Sequence, residues 1–442
     1  MRVLLTFWPF PGHVNPALAL AHAIRARGHE PAVYTGASAC ALIEREGFRC
    51  FPFKHVNEEK VHAFAHIDLP IGKSVRDQLK RASILKTQLH EWLVATVPDQ
   101  VADINDIVAE WRPDAIVQET ALWGPVLVVH ETTHIPLAIF STFSACVLPG
   151  PDAPAFGRGV PPPRGTFGRF RASAERAALN WFSSDFRNAV DKIRGSFGLS
   201  PLTMSVTEYA GTVPLYMVPS IPEFDYNRRD LPPTVHYVGP CPWAAPSTEP
   251  PPEWLMNRTS RRPLIHVTEA TIHVQDPLLL RASAAAFKDM DVDVVMTCGT
   301  HRDPATLAIG PVAANIRIER YVPHNHLLPK CAAMVTMGGA GTVMSALSAG
   351  VPLVVVPTDW DKPENAQRVV ESGVGLRIDP DQCTPERLRR AVERLLTEPS
   401  FRDNARRMAD ALARYGGAAR AAELIEALPL QAASRQRVAV GV

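Results

Sequence analysis

Residues 334–369, MVTMGGAGTVMSALSAGVPLVVVPTDWDKPENAQRV, carry the strongest chemical pattern in the chain. An apolar run ending at Thr336 leads into Gly338, Gly339, Ala340, Gly341 and Thr342, which open a helical pattern. Glycines let a backbone come close to a diphosphate, and the free N–H groups and positive dipole end of a helix start can hold it. Thr342 adds a hydroxyl. The turn has neither the lysine of a Walker loop nor GxGxxG spacing, so taken alone it reads more readily as a tight strand-to-helix turn without ligand. A second pattern, His130-Glu131-Thr132-Thr133-His134, fits the HExxH spacing of zinc hydrolases. That chemistry needs both histidines on one continuous helix and a third ligand downstream. Here Ile135-Pro136 follows at once and leaves His134 at a helix end, so no metal site is expected. The groups His62/His66 and His301/His324/His326 also lack ligand spacing, and loop or solvent roles are expected for them.

Such residues act only if elements hold them, and short apolar runs alternate with helical patterns throughout. In the first half, strands are predicted at residues 2–7, 31–35, 114–118 and 137–140. A helix is predicted over 14–27, with Asn15 as N-cap, Pro16 at the first helical position and Gly28 as stop. A long helical region covers 75–111, and further helices cover 122–133 and about 170–197. Residues 148–168 are rich in proline and glycine and read as a surface loop. In the second half, strands are predicted at 264–268, 292–297, 316–319, 332–336 and 353–356, with helical sequence from 385 to about 428. The expected fold class is α/β: two Rossmann-like, doubly wound domains facing across a cleft. Their expected ranges are 1–239, a linker over 240–262, and 263–428, with 429–442 as a flexible tail. Ligands of such sheets lie outside the carboxyl ends of the strands.

Bulk properties narrow the function. The length, 442 residues, favours two domains over one core, and 46% apolar residues suffice for two buried sheets. Lys+Arg 46 against Asp+Glu 45 argues against nucleic acid or an anionic membrane as partner. Seven scattered cysteines without a CxxC pair suggest reduced thiols in a cytoplasmic protein. The short apolar start, broken by Pro9, Pro11 and Gly12, does not read as a signal peptide, and no long apolar run suggests membrane insertion.

The glycine segment resembles the donor-binding motif of the nucleotide-sugar glycosyltransferases of the GT-B fold, the large UDP-glycosyltransferase-like family. That motif reads His-Gly-Gly-x-Gly-Ser/Thr, then Glu-Ala-Leu, Gly-x-Pro and Asp-Gln-Pro-x-Asn-Ala. Gly338, Gly339, Gly341, Thr342, Ala346, Leu347, Gly350, Pro352, Asp361, Pro363, Asn365 and Ala366 stand in register with it. Upstream, Tyr321-Val322-Pro323-His324 resembles the family's Trp-x-Pro-Gln element, whose aromatic ring stacks on the nucleobase. At the N-terminus, Gly12-His13-Val14-Asn15-Pro16 resembles its Gly-His-x-x-Pro element, and Pro113-Asp114 through Glu119 matches the stretch that carries its second catalytic carboxylate. Arg229 to Pro233 and His236 to Pro240 resemble the family's linker entry, so the likeness spans nearly the whole chain.

The resemblance implies an inverting sugar transferase, of the hexosyltransferase type, taking a UDP- or dTDP-sugar to a hydroxyl, carbon or nitrogen of a small apolar acceptor of natural-product type. His13 is the implied general base; an imidazole of ordinary pKa, near about 6.5, is neutral enough for that task at pH 7. Glu119, where Asp is usual, is its implied partner, fixing the tautomer and stabilising the imidazolium. The implied donor site comprises Thr271, Tyr321, Val322, His324, Met337, Gly338, Gly339, Gly341, Thr342, Asp361 and Lys362. Trp8, Gly12, Trp123 and Phe143 are expected at the acceptor, although buried aromatics more often belong to a core. No cofactor or obligatory metal is implied, and the chain is expected to be a monomer or homodimer. Three residues depart from the motif: Met337 replaces the phosphate-binding His, Ser345 the ribose-binding Glu, and Glu269 brings a carboxylate to the turn after the first donor-domain strand. They keep open a GT-B binding protein or weak enzyme with a drifted donor site, with the zinc hydrolase as a remoter alternative.

Overall fold

Strands covered on both faces need near-continuous apolar sequence, and runs such as Val3-Leu4-Leu5 and Val294-Val295-Met296 are entirely buried in the computed structural model. The structure describes every residue except 65–73, 144, 183, 244–250, 270–276, 300–301 and 441–442. The first sheet contains β1 (Arg2–Thr6), β2 (Glu30–Thr35), β3 (Arg49–Pro52), β4 (Ala115–Glu119), β5 (Leu137–Phe140), β6 (Leu215–Val218) and β7 (Val235–Tyr237). The second contains β8 (Leu264–Thr268), β9 (Asp293–Thr297), β10 (Ile316–Glu319), β11 (Ala333–Thr336), β12 (Leu353–Val355) and β13 (Gly375–Arg377). The strand orders are β3-β2-β1-β4-β5-β6-β7 and β10-β9-β8-β11-β12-β13, and all the pairings are parallel. The α/β, doubly wound class expected from the alternation is therefore observed. In each sheet the winding reverses between the first strand and its later neighbour, β1/β4 in one and β8/β11 in the other, and ligand crevices open at such reversals.

Helices cover both faces of the first sheet. The helix Val97–Trp111 turns Val97, Val101, Ile104, Ile107 and Trp111 onto one face, a spacing that keeps one stripe inward. Pro11–Ala26 covers the other, beside the last helix, Gly417–Val440, whose Ala421, Ala422, Ile425 and Leu428 join the core of β1, β4 and β5. The chain thus begins and ends on the same domain, and Arg27 donates to Glu426 at 2.7 Å across that junction.

Several local expectations are corrected. Cys40 and Cys50 form a disulfide where free thiols were expected, because the helix Ala37–Arg45 lies against β3 and brings their Cα atoms to 5.5 Å. The helical region 75–111 is divided into Val75–Leu89 and Val97–Trp111 by a widened turn at His90–Val94. Residues 429–440, expected as a flexible tail, continue the last helix. Four short strands, β3, β6, β7 and β13, carry too few residues to show a period of two, and two of them lie in proline-rich sequence.

The domains meet through buried charge. Arg368, on the helix Lys362–Glu371, bonds Asp225 of the first domain at 2.8 Å and Glu364 at 2.9 Å, with its guanidinium 3.9 Å over the Tyr226 ring. Burial opposes ionisation of Asp225, yet Arg368 and the hydrogen bonds from Cys146, Tyr237 and Tyr226 hold its carboxyl below the usual range. Glu364 also accepts the backbone N–H groups of Gly157 and Gly159, at 3.1 and 2.8 Å. The proline-rich loop is thereby fastened to the second domain. Losing one partner of such a buried network costs more than the network contributes over an apolar equivalent.

Candidate active site

β1 feeds directly into the helix Pro11–Ala26, with Phe10 at the N-cap position and Pro11 as first helical residue. The helix therefore starts earlier than Asn15, and Pro16 lies inside it. Pro11 supplies the same preset φ at the first position, where no N–H is needed, and the helix forgoes one bond at Pro16. The shift matters chemically: His13 stands in the first turn. Glu119 is the last residue of β4, the neighbour of β1 across the winding reversal, and is fully buried. Oε2 of Glu119 meets Nδ1 of His13 in a short hydrogen bond, leaving Nε2 for other chemistry. Burial raises the Glu119 carboxyl above its ordinary range, while the imidazole pulls the other way. The expected one-methylene excess of Glu over Asp is absorbed without losing the pair.

In the second domain, β11 runs into Met337 and Gly338, and the helix Ala340–Ser348 begins after Gly339. Gly338 has φ +90, and a Cβ there would lie 2.6 Å from Cγ1 of Val355, so the position demands glycine twice over. A Cβ on Gly339 or Gly341 would meet nothing within 4 Å, and no side chain caps the helix. No side chain takes up its first N–H groups, and an anion cradle needs such groups. The Asn365 amide donates at 2.8 Å both to the Gly338 carbonyl and to Oδ2 of Asp361, tying the glycine turn to the next loop. Burial raises the Asp361 carboxyl, against Lys362, Asn365 and, from across the cleft, the charge of His13. Asp361 thus stands within electrostatic reach of His13.

The remaining expected residues divide. Tyr321 is 54% exposed, leaving a ring free to stack, whereas Val322 is buried. His324 packs on His266 at 5.3 Å, and burial pushes its pKa down to about 4, so it is a neutral, half-buried ring at pH 7. Met337 is buried in the core beneath the sheet; an apolar thioether belongs there, and it offers no contact to a phosphate. The Lys362 amine is taken up by Asp359 at 2.5 Å and Thr358 at 3.1 Å. Ser345 returns its hydroxyl to the Gly341 carbonyl at 2.8 Å. Glu269 faces Arg302 at 2.7 Å and accepts the Leu279 and Leu280 N–H groups, capping the helix Leu278–Phe287. Its carboxylate is committed there, not left bare at the turn. Thr271 lies outside the described residues.

On the acceptor side, Gly12 is exposed and Phe143 packs on Phe156 at 5.2 Å. Trp123 is half-buried, with Nε1 donating to Thr120. Trp8 is corrected to a core residue: it is fully buried, and Nε1 donates to the Ala121 carbonyl. The wall near His13 is built instead by rings that carried no motif. Phe10 lies 5.6 Å from His13 and 6.4 Å from Trp92, Phe64 stacks on Trp92 at 4.4 Å, and Trp360 of the second domain lies 4.8 Å from Phe64. Phe10, just before the Gly12-His13 element, and Trp360, adjoining Asp361, had neighbouring motifs that could have signalled them, whereas Phe64 and Trp92 had none.

The HExxH stretch is differently employed. Glu131 pairs with Arg194 at 2.7 Å and accepts from Tyr209, and His134 ends the short helix His130–Thr133 with φ 58. Among the described residues, no group of three His, Cys, Asp or Glu could hold a metal ion.

Two parallel-sheet domains, one carrying a His–carboxylate pair at a strand end and the other a glycine-lined helix start, make up the architecture of a GT-B transferase. Residues 281–428 match the family model for the erythromycin biosynthesis protein CIII-like C-terminal domain. The chain is 34% identical over 429 residues to the 4'-demethylrebeccamycin synthase of Lentzea aerocolonigenes, covering 97% of this chain and 99% of that one. The demethyllactenocin mycarosyltransferase of Streptomyces fradiae is 27% identical, over 95% of this chain and 85% of its own length. Among solved structures, the calicheamicin glycosyltransferase CalG4 superposes with a TM-score of 0.71 at 24% identity, over 97% of this chain and 98% of that one, and shows the same fold. The chain belongs to the natural-product glycosyltransferases of the GT-B fold, and it is a glycosyltransferase.

Proposed function

We propose that the enzyme transfers a hexose from a UDP- or dTDP-sugar to a hydroxyl of a small, largely apolar natural-product acceptor, with inversion at the anomeric carbon. The observation that carries this reading is the partly buried His13–Glu119 hydrogen bond, with His13 within electrostatic reach of Asp361, which Asn365 ties to the glycine turn. A dTDP complex of the glycosyltransferase VinC, TM-score 0.69 at 22% identity over 98% of this chain and 100% of that one, supports a thymidine or uridine donor. In the reaction, Nε2 of His13 takes the acceptor hydroxyl's proton as its oxygen bonds to the anomeric carbon. The bond from that carbon to the diphosphate breaks on the opposite face, and nucleoside diphosphate leaves. Glu119 holds the reactive tautomer and stabilises the imidazolium. N–H groups of the 339–342 turn meet the leaving-group charge, and Asp361 accepts from sugar hydroxyls. This scheme uses no resident cofactor or metal.

A donor-by-acceptor panel read by mass spectrometry tests it, with His13→Ala as control. Transfer by the wild type, lost in the variant while nucleotide still raises its Tm, is the expected result. Undiminished turnover by the variant would remove His13 from its role.

A further inference from the structure

We propose that Trp360 is an acceptor-contacting residue supplied by the donor domain, so that the acceptor site is complete only when the cleft is closed. The proposal rests on the transferase reading above, and deepens it by naming the acceptor's contact surface as a flat aromatic ring.

Adjacent residues face different substrates here. Asp361 is tied through Asn365 to the glycine turn, while Trp360 reaches the other domain and packs on Phe64 at 4.8 Å and Trp92 at 6.2 Å. From there the rings run without a break to the base: Phe64 to Trp92, Trp92 to Phe10, Phe10 to His13. Phe10, Phe64 and Trp92 are buried, but Trp360 is only half-buried and keeps part of its ring accessible. Its backbone sits at φ 60, a left-handed conformation that a bulky side chain rarely adopts and that surrounding contacts must enforce. A ring wall near the base, finished by one ring from the nucleotide-binding half, favours a flat aromatic face through offset or edge contacts.

Coupling follows from this placement. Trp360 already lies on the wall in this structure, and nucleotide bound beside Asp361 favours that arrangement and raises acceptor affinity; by linkage, acceptor raises nucleotide affinity by the same factor.

Calorimetric titration of the full chain with alizarin, a flat aromatic diol, with and without saturating dTDP or UDP, tests the proposal. Nucleotide is expected to tighten alizarin binding by about tenfold in the wild type, within the usual range of coupling. Trp360→Ala should lose that tightening while binding nucleotide alone within about twofold of wild type, and Trp360→Phe should restore most of it. Three results overturn the proposal: no alizarin binding by the wild type, equal tightening in Trp360→Ala, or a nucleotide affinity that falls as far as the acceptor affinity. The last would make Trp360 a prop for Asp361 alone. His13→Ala separates the two readings, because coupling should survive in it although turnover does not. A wild type that couples but transfers no sugar from a UDP- or dTDP-donor would overturn the proposed donor and leave the Trp360 contact standing.

Discussion

The two halves of the cleft reach their chemistry by different means. The first domain uses ionisable side chains: His13 from a helix start and Glu119 from a strand end, brought together by the adjacency of β1 and β4. The second uses backbone: a glycine turn that opens a helix without a side-chain cap, steadied by one asparagine amide. The side-chain site tolerates a longer carboxylate and still forms its pair. The backbone site tolerates changes at Met337 and Ser345, which fold into core and helix, but not at Gly338, where conformation and space both exclude a side chain. Specific chemistry therefore rests on identity in one half and on shape in the other.

Four variants break or sharpen that contrast. The largest effect is expected in the side-chain half. Glu119→Gln keeps a hydrogen-bonding partner for His13 but removes the charge, and should lower kcat by roughly 10²–10⁴ while nucleotide affinity stays unchanged. Steady-state kinetics beside nucleotide titration reads both; a parallel loss of nucleotide binding would show that the halves are not separable.

Next comes a titration confined to the donor half. Burial lowers the His324 pKa to about 4, so the unfolded chain binds its proton more tightly than the folded one. Stability is then fully present above the ordinary value of about 6.5 and falls as pH drops toward 4, by up to about 3 kcal/mol. Denaturant melts at several pH values should show His324→Gln flattening that acid limb. An unchanged slope would place the acid sensitivity elsewhere.

The smallest effects separate shape from ligand contact. Gly338→Ala forces a Cβ against Val355 at φ +90 and should cost about 1–3 kcal/mol of stability by thermal or chemical unfolding. Gly341→Ala meets open space and should leave stability within about 0.5 kcal/mol. Only nucleotide affinity should fall in Gly341→Ala, by severalfold. Unaltered affinity there would mean that the turn does not approach the diphosphate.

Legibility followed the same division. The glycine turn, β8 and β11 could be read in order because glycines and apolar runs declare local backbone geometry. His13 and Glu119 could be named only through resemblance, since 106 residues separate them and no local pattern says that two strands are neighbours. The ring wall was not legible. Trp92 lies in a widened helical turn whose direction is set by packing, while Trp8, placed beside the Gly-His element, turned inward because the core needed its volume.

Periodicity, glycine placement and composition determined by themselves that this chain makes two parallel α/β units with a glycine-rich strand-to-helix turn in the second. Those are local consequences of backbone sterics and of apolar burial; the expectation that this turn holds a ligand came only from the resemblance. Which side chains meet was decided only in three dimensions: the His13–Glu119 pair, the Arg368–Asp225 lock, the Cys40–Cys50 bridge and the Trp360 contact. Each depends on how distant segments pack, and packing is a property of the whole fold that no short stretch of sequence contains.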